Sequence, residues 1–162
     1  MVIPKLYLEA SIFNFHFYEM RPREMADTRK LFRLIKAERY EAYTSEYAVE
    51  ELKKASKEKY QKMLVLVKKY TKKIFSYDDE TERLAGIYLD KKIIPVKYRT
   101  DARHVASAAV NKLDFVVSYN FGHIVKLKTM IGTGFANLRE GYRQVGITTP
   151  EEVLEYDTER NA

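Results

Sequence analysis

LYLEASIFNF, residues 6–15, holds a contradiction that any fold for this chain must resolve. Leu6, Tyr7 and Leu8 read as the end of a buried strand. The next residue is a carboxylate, Glu9, followed by Ala10, Ser11 and the apolar Ile12 and Phe13. An acid next to core positions is costly unless something compensates its charge.

Outward from that strand, the hydrophobic pattern changes period repeatedly. VIPKLYL is a short apolar strand, and YEAYTS, KKIFSY, DFVVSYN and YRQVGIT are further short runs of strand type. REMADTRKLFRLIKAER, EYAVEELKKA, KEKYQKMLVLVKKYT, DDETERLAGIYLDKK, TDARHVASAAVNKL and TTPEEVLEY have helical spacing. Ser45 is placed to cap the second of these helices. Thr149, Pro150 and Glu152 spell a capping box for the last. Strands alternating with helices predict an α/β fold, a three-layer α/β/α sandwich with a mainly parallel five-stranded sheet and right-handed crossovers.

The totals agree with one such domain. The chain has 162 residues, of which 46% are hydrophobic, so residues 1–156 are expected to form one domain, with 157–162 a disordered tail. No apolar run reaches the ~20 residues of a membrane span and no signal-peptide pattern opens the chain, so a soluble cytoplasmic protein is expected. The absence of cysteine excludes disulfides and thiolate metal sites. The net charge of +6 suits an anionic partner, but a Lys/Glu-rich, cysteine-free composition also marks heat-adapted proteins. IGTG at 131–134 follows no strand and lacks the lysine of a phosphate-binding loop.

Open α/β sheets place their sites beyond the carboxyl ends of the strands. Glu9 ends the first strand, and Ser45 the second. Ser118, Tyr119 and Asn120 end the fourth, and Asp101 opens the helix before it. On the helix after Ser45, Glu50 shares a face with Glu46, Lys53 and Lys54 and reads as a solvated stripe. Glu51 lies with Ala48, Leu52 and Ala55 on the apolar side. Asp101 heads a stripe continued by Val105 and Ala108. Each acid has an ordinary alternative. Glu9 would cap the next helix, Glu51 would pair with a base, and Asp101 would favour a helix dipole. Three acids aimed at one end of a sheet repel one another, and a divalent cation relieves that repulsion. Oxygen ligands without cysteine favour Mg²⁺ or Mn²⁺.

LYLEASIFNF, YTSEYAVEEL, YRTDARHVASAAV and DFVVSYNFGHIV, in that order, resemble the successive motifs of PIN-domain proteins, the metal-dependent ribonucleases that include the toxins of VapBC toxin–antitoxin pairs. The resemblance runs from Leu6 to about Leu154. It implies RNA cleavage with Mg²⁺ or Mn²⁺ held by Glu9, Glu51 and Asp101, and a catalytic set completed by Asn120, which falls where many members have a fourth acid. Ser11 matches a small hydroxyl residue that often bonds within the site. RNA, an antitoxin protein and a second copy of the chain are the partners implied. Glu9 departs from the usual aspartate by one methylene. Arg103 replaces an apolar residue and is left open among an acid, a substrate phosphate and solvent. Phe13, Phe15, His104 and His123 are expected to pack or support rather than to bind metal or bases, and Tyr119 is a candidate base-stacking residue. The alternative is a PIN scaffold weakened in catalysis that binds RNA or protein.

Overall fold

The structure, a computed structural model, describes residues 2–161; Met1 and Ala162, the ends of the expected domain and tail, lie outside it. Strand β1 is Lys5–Leu8, and short helix α1, Ala10–Phe15, follows directly on Glu9. Next come α2 Pro22–Lys36, β2 Glu41–Ser45, α3 Glu46–Leu52, α4 Lys57–Tyr70 and β3 Thr71–Phe75. The chain continues through α5 Asp79–Asp90, a 3-10 turn Val96–Tyr98, α6 Arg99–Val110 and β4 Phe115–Val117. It closes with α7 Leu127–Arg139, β5 Gly146–Thr148 and α8 Pro150–Arg160.

The sheet order is β3-β2-β1-β4-β5, and all four pairings are parallel. Consecutive side chains of a strand point to opposite faces, and β1 uses both. Leu6 and Leu8 join a core with α1, α2, α3, α4 and α8. Tyr7 joins a second core with α5, α6 and α7. Val117 and Val116 of β4 divide the same way. A sheet covered on both faces needs apolar residues at consecutive positions, which is why these strands read as unbroken runs. Direction of travel reverses between β1 and β4, and the connecting helices change face there. All crossovers therefore keep one hand, and a switch point opens above the carboxyl ends of β1 and β4.

Local chemistry sets the helix starts. The Ser45 hydroxyl accepts from the Ala48 N–H, Ser56 from Lys59 and Asp78 from Thr81. The capping box of α8 is half realised. Thr149 Oγ1 accepts from the Glu152 N–H, but the Glu152 carboxylate takes the Thr148 hydroxyl at 2.6 Å instead of a backbone amide.

Two stretches differ from the sequence reading. α7 has no counterpart there, because Gly132 and Gly134 lower its intrinsic helicity. Packing favours the first: a Cβ on Gly132 would stand 2.7 Å from Ile93, whereas one on Gly134 would meet only the end of the Gln144 side chain at 3.0 Å. IGTG is thus a helix contact. The second is the tail. α8 runs on to Arg160, so four of the six residues expected to be disordered are helical. Asp157 accepts from Arg39 at 2.9 Å and pairs with Arg160 at 3.2 Å. Among the described residues, no helix is long and apolar enough to cross a membrane.

Candidate metal centre

Glu9 leaves β1 at the switch point and is only 5% exposed. It occupies the N-cap position of α1, but its side chain makes no capping bond. Its Oε1 accepts from the Ser11 hydroxyl at 2.5 Å and from the Ser118 hydroxyl at 2.6 Å. Each serine also accepts a backbone amide, Ser11 from Tyr119 at 2.9 Å and Ser118 from Asn120 at 2.9 Å. The ends of β1 and β4 are thereby stitched around one carboxylate oxygen, leaving Oε2 without a hydroxyl donor.

Glu51 reaches the same place from α3. Its neighbours Ala48 and Leu52 are buried, as the apolar stripe requires, whereas Glu50 on the other face pairs with Lys53 in solvent. Among the described residues no lysine or arginine pairs with Glu51. Its partner is His104 of α6, which is fully buried and bonds Glu51 Oε1 through Nε2. Nδ1 of the same ring lies 2.6 Å from the Tyr7 hydroxyl, and that hydroxyl is 2.6 Å from Ser45 Oγ. With a neutral imidazole the donors run from Ser45 through Tyr7 and His104 to Glu51; with an imidazolium the first two reverse. Burial pushes the Tyr7 phenol well up, so it stays protonated. Burial alone would lower His104, but the Glu51 bond and the charges of Glu51, Glu9 and Asp101 outweigh it and raise the pKa.

Asp101 sits in the first turn of α6, where a carboxylate also favours the helix dipole. Burial raises its pKa, His104 opposes the rise, and the charges of Glu9 and Glu51 add to it. Asp101 therefore senses the other two acids. The closest grouping, however, is Glu9, Glu51 and His104, each offering an atom within 4.8 Å of the others. Neither Glu9 nor Asp101 forms an ion pair with a base among the described residues.

This arrangement can hold a divalent cation. Glu9 and Glu51 offer hard carboxylate oxygens within 4.8 Å of one another, and Asp101 feels the charge of both. Both His104 nitrogens are already engaged, which makes the ring a support for Glu51 of the kind that orients metal ligands. Arg103 takes no part. It pairs with Glu82 at 2.8 Å and lies over the Tyr47 ring.

Asn120 begins the loop after β4, and its Oδ1 accepts from the His123 N–H at 3.1 Å. The amide thus shapes the loop through its oxygen. The His123 ring stacks on Tyr98, centroids 3.5 Å apart. Phe13 is core. Phe15 stacks on Tyr119 at 4.3 Å, so one face of Tyr119 is covered by protein. Sequence reasoning named the three acids, Ser11 and Asn120. It did not assign Ser118 to Glu9, or Tyr7 and Ser45 to the support of Glu51. The one signal for the latter was a phenol placed between two leucines of a core strand.

No family model matches the sequence, and none of the curated proteins does. Among solved structures, the fold is similar to a chain in the crystal structure of VapBC2 from Rickettsia felis bound to a DNA fragment from their promoter. The TM-score is 0.56 at 14% identity, covering 90% of this chain and 98% of that one. It is similar also to a chain of FitAcB from Neisseria gonorrhoeae, with TM-score 0.54 at 15% identity, covering 90% and 97%. At such identities the likeness is one of fold.

Proposed function

We propose that this chain is a metal-dependent endoribonuclease of PIN type, the cytoplasmic toxin of a toxin–antitoxin pair. The observation that carries the reading is the gathering of Glu9 and Glu51 with His104 at the switch point of the sheet, each offering an atom within 4.8 Å of the others, with Asp101 near enough to feel both carboxylates. The likeness to chains of VapBC2 and FitAcB supports an antitoxin partner. The family resemblance adds a homodimer.

Glu9, Glu51 and Asp101 would hold Mg²⁺ or Mn²⁺. The bound ion supplies activation of a water and stabilisation of charge at the scissile phosphate. The chain's own contribution is positioning. Ser11 and Ser118 fix Glu9, and the Tyr7–His104 pair fixes Glu51, so neither carboxylate has to be ordered on binding. The Asn120 amide has no basicity. With Oδ1 committed to its loop, its NH₂ is the group free to bond a phosphate oxygen or a water. The net charge of +6 favours an RNA backbone.

The test is RNA cleavage with and without Mn²⁺, comparing the intact protein with Asp101→Ala. The expected outcome is Mn²⁺-dependent cleavage that falls on the order of 10²-fold in the variant. Equal cleavage by the two would assign the activity to a contaminant and remove the reading. One observation favours a second reading: Glu9 is one methylene longer than usual and Asn120 is tied to its own loop. In that reading the scaffold binds RNA or protein without cutting, and Mn²⁺ titration yields neither saturable binding nor thermal stabilisation.

A further inference from the structure

α7 buries Thr129, Thr133, Gly134, Ala136 and Asn137 against the rest of the molecule. The opposite face should be polar by the ordinary rule for a surface helix. It is not. Leu127, Ile131, Phe135 and Leu138 are 69%, 51%, 67% and 54% exposed. Their spacing of four, four and three residues aligns them in one stripe along the whole helix, about 16 Å long at 1.5 Å per residue. Large apolar groups scattered singly need no explanation, but a contiguous stripe marks a surface that is covered in use.

The charges around the stripe limit what covers it. The other exposed residues of the helix are Lys128 near its start and Arg139 at its end, both cations. The segment that packs on Gly132 through Ile93 adds exposed Lys91, Lys92 and Lys97 against one acid, Asp90. Glu140, just past the helix, is paired with Arg83. A second copy docked antiparallel would set Lys128 against Arg139. Docked parallel, it would set each against itself. Like charges at the rim disfavour both arrangements. Bases are a poor match too, since three of the four stripe residues lack a π-face.

We propose that the exposed face of α7 docks an amphipathic helix of a partner protein, an apolar seam of about three turns flanked by carboxylates. The Glu/Asp flanks answer Lys128, Arg139 and the lysines of residues 91–97, and the seam covers Leu127 to Leu138. This is independent of the nuclease reading, because the face contains none of the site residues.

The test uses the full chain and two designed helical peptides of about twenty residues. Both carry leucine at the seam; one is flanked by glutamate, its twin by lysine. Binding is followed by fluorescence anisotropy at 50 and 300 mM salt. The expected result is saturable binding of the glutamate peptide, at least tenfold tighter than its twin at low salt. In the double variant Ile131→Ser, Phe135→Ser it weakens at least tenfold. Thermal melts check that the variant is folded, and its Mn²⁺-dependent RNA cleavage is expected to equal that of the parent. Four results would overturn the proposal: no binding of either peptide, equal binding of both, a parent dimer that the double variant converts to monomer, or retention on phosphatidylserine vesicles that the variant loses. Loss of cleavage in both proteins would count against the nuclease reading alone.

Discussion

Glu9 is one methylene longer than the aspartate of the PIN motif that this stretch resembles, and the structure shows what the longer side chain reaches. Its Oε1 reaches both Ser11 and Ser118. Shortening it to aspartate would withdraw the carboxylate by more than an ångström from two hydroxyls already placed for glutamate. Glu9→Asp is therefore expected to weaken Mn²⁺ binding by about tenfold, measured by calorimetric titration; equal or tighter binding would show that the serines adapt. Asp101 yields a pH prediction. Its carboxyl is pushed above the ordinary value by burial and by Glu9 and Glu51, with His104 opposing. A raised folded pKa means that the folded state holds its proton longer than the unfolded one. The metal-free fold thus loses stability as pH rises through that value. Asp101→Asn removes the loss. In EDTA at neutral pH its melting temperature should exceed the parent's by about 2 °C or more, while its stabilisation by Mn²⁺ should vanish. A lower melting temperature in EDTA would mean that Asp101 serves chiefly as a helix-start residue.

At the scale of elements, α8 shows how a polar end becomes part of a fold. Asp157 to Arg160 resemble a frayed terminus in composition, but Asp157 meets Arg39, Arg160 and the Tyr40 hydroxyl. Asp157→Ala should cost about 1–2 kcal/mol and lower the melting temperature by roughly 4 °C; an unchanged melt would make these pairs ornamental surface contacts. The pair α5 and α7 offers a sharper case. Tyr88 is fully buried and its hydroxyl donates to Asn137 Oδ1. Tyr88→Phe leaves a buried carbonyl without its donor, with an expected loss of about 1–3 kcal/mol in denaturant unfolding.

For the molecule as a whole, charge is distributed unevenly. A net +6 chain places the buried Glu9 and the half-buried Glu51 together at one pole of the sheet. A divalent cation held there, as proposed, would bind the folded chain alone, so Mn²⁺ at about 100 times its dissociation constant should add about 2.7 kcal/mol of stability, reversed by EDTA. If the chain binds RNA as proposed, its net positive charge would act on the phosphates. Raising salt from 50 to 200 mM should then weaken association with single-stranded RNA roughly 20-fold if about three phosphates are contacted. A salt-independent affinity would point away from backbone recognition.

Much of this was legible in the residues alone. Unbroken apolar runs separated by helical periods specified an α/β fold, because a parallel sheet is buried on both faces. Ser45 and Thr149 announced helix starts through local hydrogen bonds that need no distant partner. Glu9, Glu51 and Asp101 stood out because each acid interrupts an apolar stripe. What the sequence could not supply were relations between residues far apart along the chain. Ser118 reaching Glu9 spans 109 positions, and His104 reaching Glu51 spans 53. α7 forms despite the preference of its glycines because it packs Thr129, Thr133, Ala136 and Asn137 into the molecule, with Gly132 close against Ile93. Propensity and periodicity act over a turn or two, so local patterns determined the elements and the acids. Only tertiary packing decided which serine holds which acid, that His104 supports Glu51, and that one helix keeps its apolar face outward.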